Sequence, residues 1–225
     1  MAPMRILAAL LATVSLSCAA APFSVRLGAE KIVLDTPPGF SDTSDLASPR
    51  LNDLAATLTS ASNRILLFAL TDADLRKFMA GDFLDARRYL IAVTPKGLEQ
   101  VRVGSDQFKG LVSEALRDLG KPETTADQVK FLDKQPIGKA NLLAELKSEA
   151  TVFSVLQGTR LPPMPGETFW QSSKLQYLYF TTTLLLVRGK ALRLDVYAVS
   201  EGAPDLDWLK GTTERWVQEL QRLNR

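Results

Sequence analysis

Residues 174–199, KLQYLYFTTTLLLVRGKALRLDVYAV, limit the folds open to this chain more tightly than any other stretch. Two long runs rich in β-branched and aromatic residues flank Arg-Gly-Lys, and Gly189 can take the positive φ that a tight hairpin turn needs. The pair predicts an antiparallel hairpin. In its second run Leu192, Leu194, Val196 and Ala198 alternate with Arg193, Asp195 and Tyr197, so one face of that strand is expected to be wetter. A helix follows in PDLDWLKGTTERWVQELQRLN, with Asp205 as its cap and Leu209, Trp216, Leu220 and Leu223 on one stripe. Burying each such side chain contributes about 1.5–3 kcal/mol, enough to dock the helix on a sheet.

Upstream, FSVRLGAEKIVL reads as two short extended runs with Gly28 near the turn. Ser48 and Pro49 start a helix that places Leu51, Leu54, Ala55 and Leu58 on one face. RILLFAL suits a strand covered on both faces, and TDADLRKF a helix capped by Thr71. ARRYLIAVTP is a further strand. The clearest helix is SDQFKGLVSEALRDLGKP, where Phe108, Leu111, Val112, Ala115, Leu116 and Leu119 recur at helical spacing and Gly120 and Pro122 end it. Residues 121–140 are polar and interrupted, which suggests a surface excursion with a brief strand around Val129–Leu132. NLLAELKSEA is expected to be a weaker helix, TVFSVLQGTRL a strand and PPMPGE a stiff loop.

The first residues read as an address. A single Arg5, the apolar run ILAALLATVSLS and the small residues of SCAAAPF describe a secretory leader, too short to span a bilayer. Cleavage after Ala19, or after Ala20, fits the small-x-small pattern, so residues 1–19 are assigned as signal peptide and 20–225 as a single domain. A lipid anchor on Cys18 is the alternative, disfavoured because Ser15 occupies the place where a lipoprotein signal has an aliphatic residue. Losing Arg5 with the leader leaves near balance, from 27 basic against 25 acidic residues, and the charges are interspersed. Nothing in that pattern suits nucleic acid, and no later apolar run is long enough for a transmembrane span.

Chemistry is sparse. The chain has no histidine and a single cysteine, which is lost with the leader. The usual neutral-pH general base, the Ser-His-Asp arrangement, thiol catalysis and the commonest metal ligands go with them. Carboxylate pairs such as Asp72 with Asp74, and Ser172 or Ser173 near Lys174, are what remain for an enzyme. LDTPPGFSDTSD at 34–45 carries three aspartates at the wrong spacing for a calcium loop and too few glycines for a phosphate cradle. It reads as a corner: Pro38 and Gly39 suit a type II turn over Pro37–Phe40, with Phe40 pinning it to the core. No catalytic residue, metal site or cofactor is assigned. Trp170, Tyr177 and Tyr179, close together ahead of the hairpin, are the candidate binding residues, with sheet packing as the simpler role for the tyrosines.

The opening extended pair running into DTPPGF, with the closing hairpin and capped amphipathic helix, resembles the PsbP-like α/β sandwich superfamily. That superfamily includes the extrinsic photosystem II subunit and many small exported bacterial proteins. The resemblance implies an α+β fold, a central mostly antiparallel sheet flanked by helices, and a role in binding or assembly. It carries over no catalytic residue. The expected protein is periplasmic or secreted and non-catalytic, its partner an envelope protein or small ligand. A hydrolase or transferase using carboxylate or Ser/Lys chemistry is the alternative.

Overall fold

A computed structural model describes residues 21–225 apart from 83, 85, 123–126, 163–175 and 202–204. The segment expected to be a leader and most of the expected stiff loop therefore lie outside the described residues. Nine strands and five α-helices alternate along the rest: β1 Phe23–Leu27, β2 Glu30–Leu34, β3 Phe40–Asp42, α1 Pro49–Thr57, β4 Asn63–Thr71, α2 Asp72–Met79, β5 Arg88–Pro95, α3 Ser105–Leu119, α4 Gln128–Asp133, β6 Asn141–Ser148, β7 Val152–Arg160, β8 Tyr177–Val187, β9 Lys190–Ser200 and α5 Leu206–Leu223. β1 and β2 form a separate hairpin; the other seven make one sheet in the order β3-β4-β5-β9-β8-β7-β6, antiparallel throughout. The fold is α+β, a central antiparallel sheet with helices on both faces.

The β8–β9 hairpin is the axis of that sheet. Its turn holds Arg188 at φ +50° and Gly189 at φ +74°, the two positive values that match a tight turn to the twist of its strands. A side chain at 189 would also press on Arg102 Cγ, 2.9 Å from where its Cβ would stand. Period-two alternation then sorts side chains to opposite faces. Leu192, Leu194 and Val196 join Leu67, Leu90 and the hairpin residues Leu27, Ile32 and Leu34 in one core, closed by Leu132 of α4 and by Leu209, Trp216, Val217 and Leu220 of α5. On the other face Phe68, Leu70, Ile91 and Val93 pack under α1 and α2. Phe108, Val112 and Leu116 of α3 cover Ala191, Phe153 and Val155.

This second layer corrects the expectation of a wetter face on β9. Asp195 is 1 % exposed and Tyr197 8 %, because helices cover that side too. Two element assignments also change. Val129–Leu132 belongs to α4 and not to a strand: Asp127 caps it, accepting from Lys130 N–H at 3.1 Å, and Leu132 is fully buried. NLLAELKS is β6, the edge strand, and not a helix. Its pairing with β7 skips a residue between Leu142 and Ala144 and again between Glu145 and Lys147. Each bulge sets two residues against one, so the apolar positions fall out of a simple alternation and imitate a helical spacing.

The corner at 34–45 is structural. Phe40 N–H donates to Pro37 O at 3.2 Å, with Gly39 at φ +87°, and Phe40 is buried against Trp208. Asp42 Oδ1 accepts from Phe68 N–H at 3.2 Å and Ser41 donates to Asp72 at 2.7 Å, so the polar side chains tie β3 to its neighbours. α5 closes the molecule on this side. Trp216 Nε1 donates to Asp35 O at 2.8 Å, and Asn224 both donates to Val33 O and accepts from Val33 N–H, each at 2.8 Å.

Candidate functional site

The sequence-chosen tyrosines lie side by side on β8, facing the α5 layer, with ring centroids 6.3 Å apart. They are 2 % and 0 % exposed, so the fold gives them no surface on which to act as a platform; they are sheet-packing residues. Tyr177 Oη donates to Asp133 Oδ1 at 2.6 Å, and burial followed by that contact pushes its hydroxyl well above the ordinary tyrosine range. Burial pushes Tyr179 up to about 12, and its hydroxyl has no hydrogen-bond partner. Trp170 lies outside the described residues.

A second polar group crosses the opposite face. Gln157 Nε2 donates to Thr182 Oγ1 at 2.9 Å, and Arg193 Nε to Asp195 Oδ2 at 2.9 Å, between the apolar patches under α1–α2 and α3. Burial raises the Asp195 carboxyl, with Arg193 opposing the shift, and its Oδ1 has no partner. Beside it runs a cross-strand ladder of rings: Phe180 on Tyr197 at 5.3 Å, Tyr197 on Tyr89 at 4.7 Å and Tyr89 against Phe68 at 6.5 Å. Such stacking stabilises a sheet centre by about 0.5–1.5 kcal/mol per pair. This belt fastens strands together; no open space adjoins it among the described cavities.

Open space exists on the α5 side. α5 lies over β8 and β9 and stops short of the sheet's β6 edge, leaving a cavity of about 400 Å³ against β6 and β7. One wall is a helical stripe, Lys210, Thr213, Glu214 and Val217, residues three and four apart on a single face. The other is Leu146, Lys147, Val152 and Ser154. Leu146 and Lys147 are sequence neighbours, which in a regular strand would point to opposite faces. The second β6 bulge, which falls between Glu145 and Lys147, lets both line the cavity. The irregularity that hides β6 from a reading of the sequence is thus what brings an ammonium to the cleft.

Two hydroxyl residues, Ser154 and Thr213, line the cleft, and each is backed by a buried threonine of β8. Ser154 Oγ and Thr183 Oγ1 lie 2.8 Å apart, and Thr181 Oγ1 and Thr213 Oγ1 2.6 Å apart, all four side chains buried. Thr213 donates to Leu209 O at 2.9 Å, the back-bond a threonine makes inside a helix. Lys147 Nζ sits 3.2 Å from Glu149, and Lys210 has no ion-pair partner among the described residues. Size, an apolar flank and a few convergent polar groups are the marks of a small-molecule site. Sequence reasoning missed these residues because each is ordinary alone. Thr181–Thr183 read in the sequence as a strand in preference to a hydroxyl-lined site, and Lys147 as part of a helix that does not form.

A smaller cavity of about 340 Å³ at the 34–45 corner is lined by Asp35, Asp42, Asp45, Thr36, Ser41 and Ser44. Asp35 and Asp42 are engaged in the corner's own hydrogen bonds, and among the described residues no group of three or more His, Cys, Asp or Glu is placed to hold a metal. No described helix is long and apolar enough to cross a membrane.

No protein-family profile matches the sequence, and no match is found among curated proteins. Solved structures with some likeness are a mutant of the protein Mog1, at 13 % identity over 91 % of this chain and 93 % of that one, and the Saccharomyces cerevisiae Ran-binding protein Mog1p, at 12 % identity over 91 % and 92 %. The TM-score is 0.34 for both, and nothing about either protein is carried over to this chain.

Proposed function

We propose that this chain is an exported, non-catalytic binding protein of the bacterial-type cell envelope, periplasmic or secreted, that holds a small ligand in the cleft between α5 and the β6–β7 edge. The observation that carries the reading is the bulge that turns Lys147 toward the buried hydroxyls of Ser154 and Thr213. A bulge and a lysine also guard a sheet edge against pairing with another chain, and what favours a ligand here is that this lysine shares its cleft with Ser154, Thr213 and a second lysine. The leader at 1–19 supports export, and a central antiparallel sheet with flanking helices is what the PsbP-like resemblance implies.

The Ser/Lys alternative has one point of contact with the structure, since Lys147 stands opposite Ser154 in the β6–β7 register. A general-base lysine has to be neutral and within hydrogen-bond reach of its serine. Here the ammonium is paired with Glu149 and the serine hydroxyl with Thr183, which favours holding over turnover. A thermal-shift screen of small amphiphilic compounds tests the reading, run on residues 20–225 and on the Glu214→Trp variant. Glu214 is exposed and lines the cleft, so the variant should fold and obstruct entry. Compounds that stabilise the parent should fail to stabilise the variant. Equal stabilisation of both, or turnover of an ester panel that Ser154→Ala abolishes, would overturn it.

A further inference from the structure

We propose that the occupant of this cleft is a monocarboxylate with a short aliphatic body, an inference that rests on the cleft being the binding site. Hydrogen-atom accounting comes first. Thr213 spends its proton on Leu209 O, so the proton between Thr181 and Thr213 belongs to Thr181. Ser154 and Thr183 share one hydrogen bond but own two protons. One donor, on Ser154 or on Thr183, is therefore left over in a buried position; where Thr183 donates to Ser154 it is the Ser154 hydroxyl, which lines the cleft. A buried donor without an acceptor is costly, so the site favours a ligand oxygen there.

Charge narrows the class. Of the residues that line the cleft, Lys147 and Lys210 are positive and Glu214 negative, which leaves a surplus of one positive charge. Glu149, the partner of Lys147, stands outside the lining with its side chain 54 % exposed, so this water-screened pair keeps Lys147 charged yet is readily exchanged for a ligand carboxylate. A single negative charge balances that surplus, and a second would meet Glu214. Phosphate dianions are also better held by the guanidinium fork, and no arginine lines the cleft. Leu146, Val152 and Val217 supply the apolar flank for a chain of a few carbons.

Calorimetry on residues 20–225 with octanoate, 1-octanol and octylamine separates the head group from the chain. Octanoate should bind about tenfold more tightly than 1-octanol, with octylamine weaker than both. Lys210→Gln and Lys147→Gln, both at solvent-reaching positions, should each cut the octanoate-to-octanol affinity ratio about three- to tenfold. If 1-octanol or octylamine binds as tightly as octanoate and Glu214→Trp blocks it, the carboxylate assignment is overturned while the cleft remains the binding site. If none of the three binds, the ligand class is wrong. Whether the cleft reading falls as well is decided by the compound screen on parent and Glu214→Trp.

Discussion

Asp195 stands in the middle of β9 with its carboxylate out of water and paired with Arg193 through Oδ2, and that burial has a pH signature. Burial raises its folded-state pKa above the unfolded value, so the folded protein binds the proton more tightly than the unfolded chain does. The stabilisation from that bound proton is full below about pH 4 and is lost as pH rises through the raised pKa. In Asp195→Asn this loss should vanish: urea-unfolding free energies of parent and variant, compared from about pH 4 to 7, should fall with pH more steeply in the parent. Parallel curves would mean the carboxyl is not held up by its surroundings. Gly158 makes a second residue-scale case. A Cβ there would lie 2.9 Å from Leu143 Cδ1 and 3.0 Å from Leu132 Cδ1, where α4 presses on β7. Gly158→Val should therefore cost about 2 kcal/mol, read as a lower urea midpoint with unchanged slope.

Among the elements, those with a strong local pattern were legible from sequence and those shaped by their neighbours were not. α3 carries a full apolar stripe and a glycine stop, and the β8–β9 pair a turn only a few sequences allow. Thr71 was recognisable as a cap and does accept from Asp74 N–H at 3.1 Å. β6 failed because alanine, leucine, glutamate and lysine favour helix, and pairing with β7 overrides that preference. α4 failed because six residues carry too little periodicity. The cleft inherits the first of these failures, since it exists only where α5 meets a strand the sequence disguises. The last residues of α5 do further work between elements. Asn224 occupies both backbone groups of Val33, 191 positions away, and so holds the β1–β2 hairpin on the core. Asn224→Ala should cost about 2 kcal/mol and speed amide exchange at Val33 and along β2 more than in β8.

At the scale of the whole molecule, the sheet is covered on one face by three helices and on the other by α5, α4 and a hairpin that together leave the β6 corner open. That opening is where a binding function can reside, and the proposed export would have the protein meet its ligand outside the cytoplasm. Expressed in a Gram-negative host, the full chain should appear outside the cytoplasm with Ala20 or Ala21 as its first residue and no added acyl mass, measured on the intact protein. A mature chain beginning at an acylated Cys18 would make it an anchored lipoprotein instead. The most direct test of the cleft is an amide shift map of ¹⁵N-labelled residues 20–225 on addition of octanoate. Saturable shifts confined to residues 145–148, 152–155 and 209–218 are the expected result. Shifts centred on Asp195 or on the 34–45 corner would contradict the cleft as the place where this protein holds what it binds, whereas none at millimolar octanoate would contradict the carboxylate assignment.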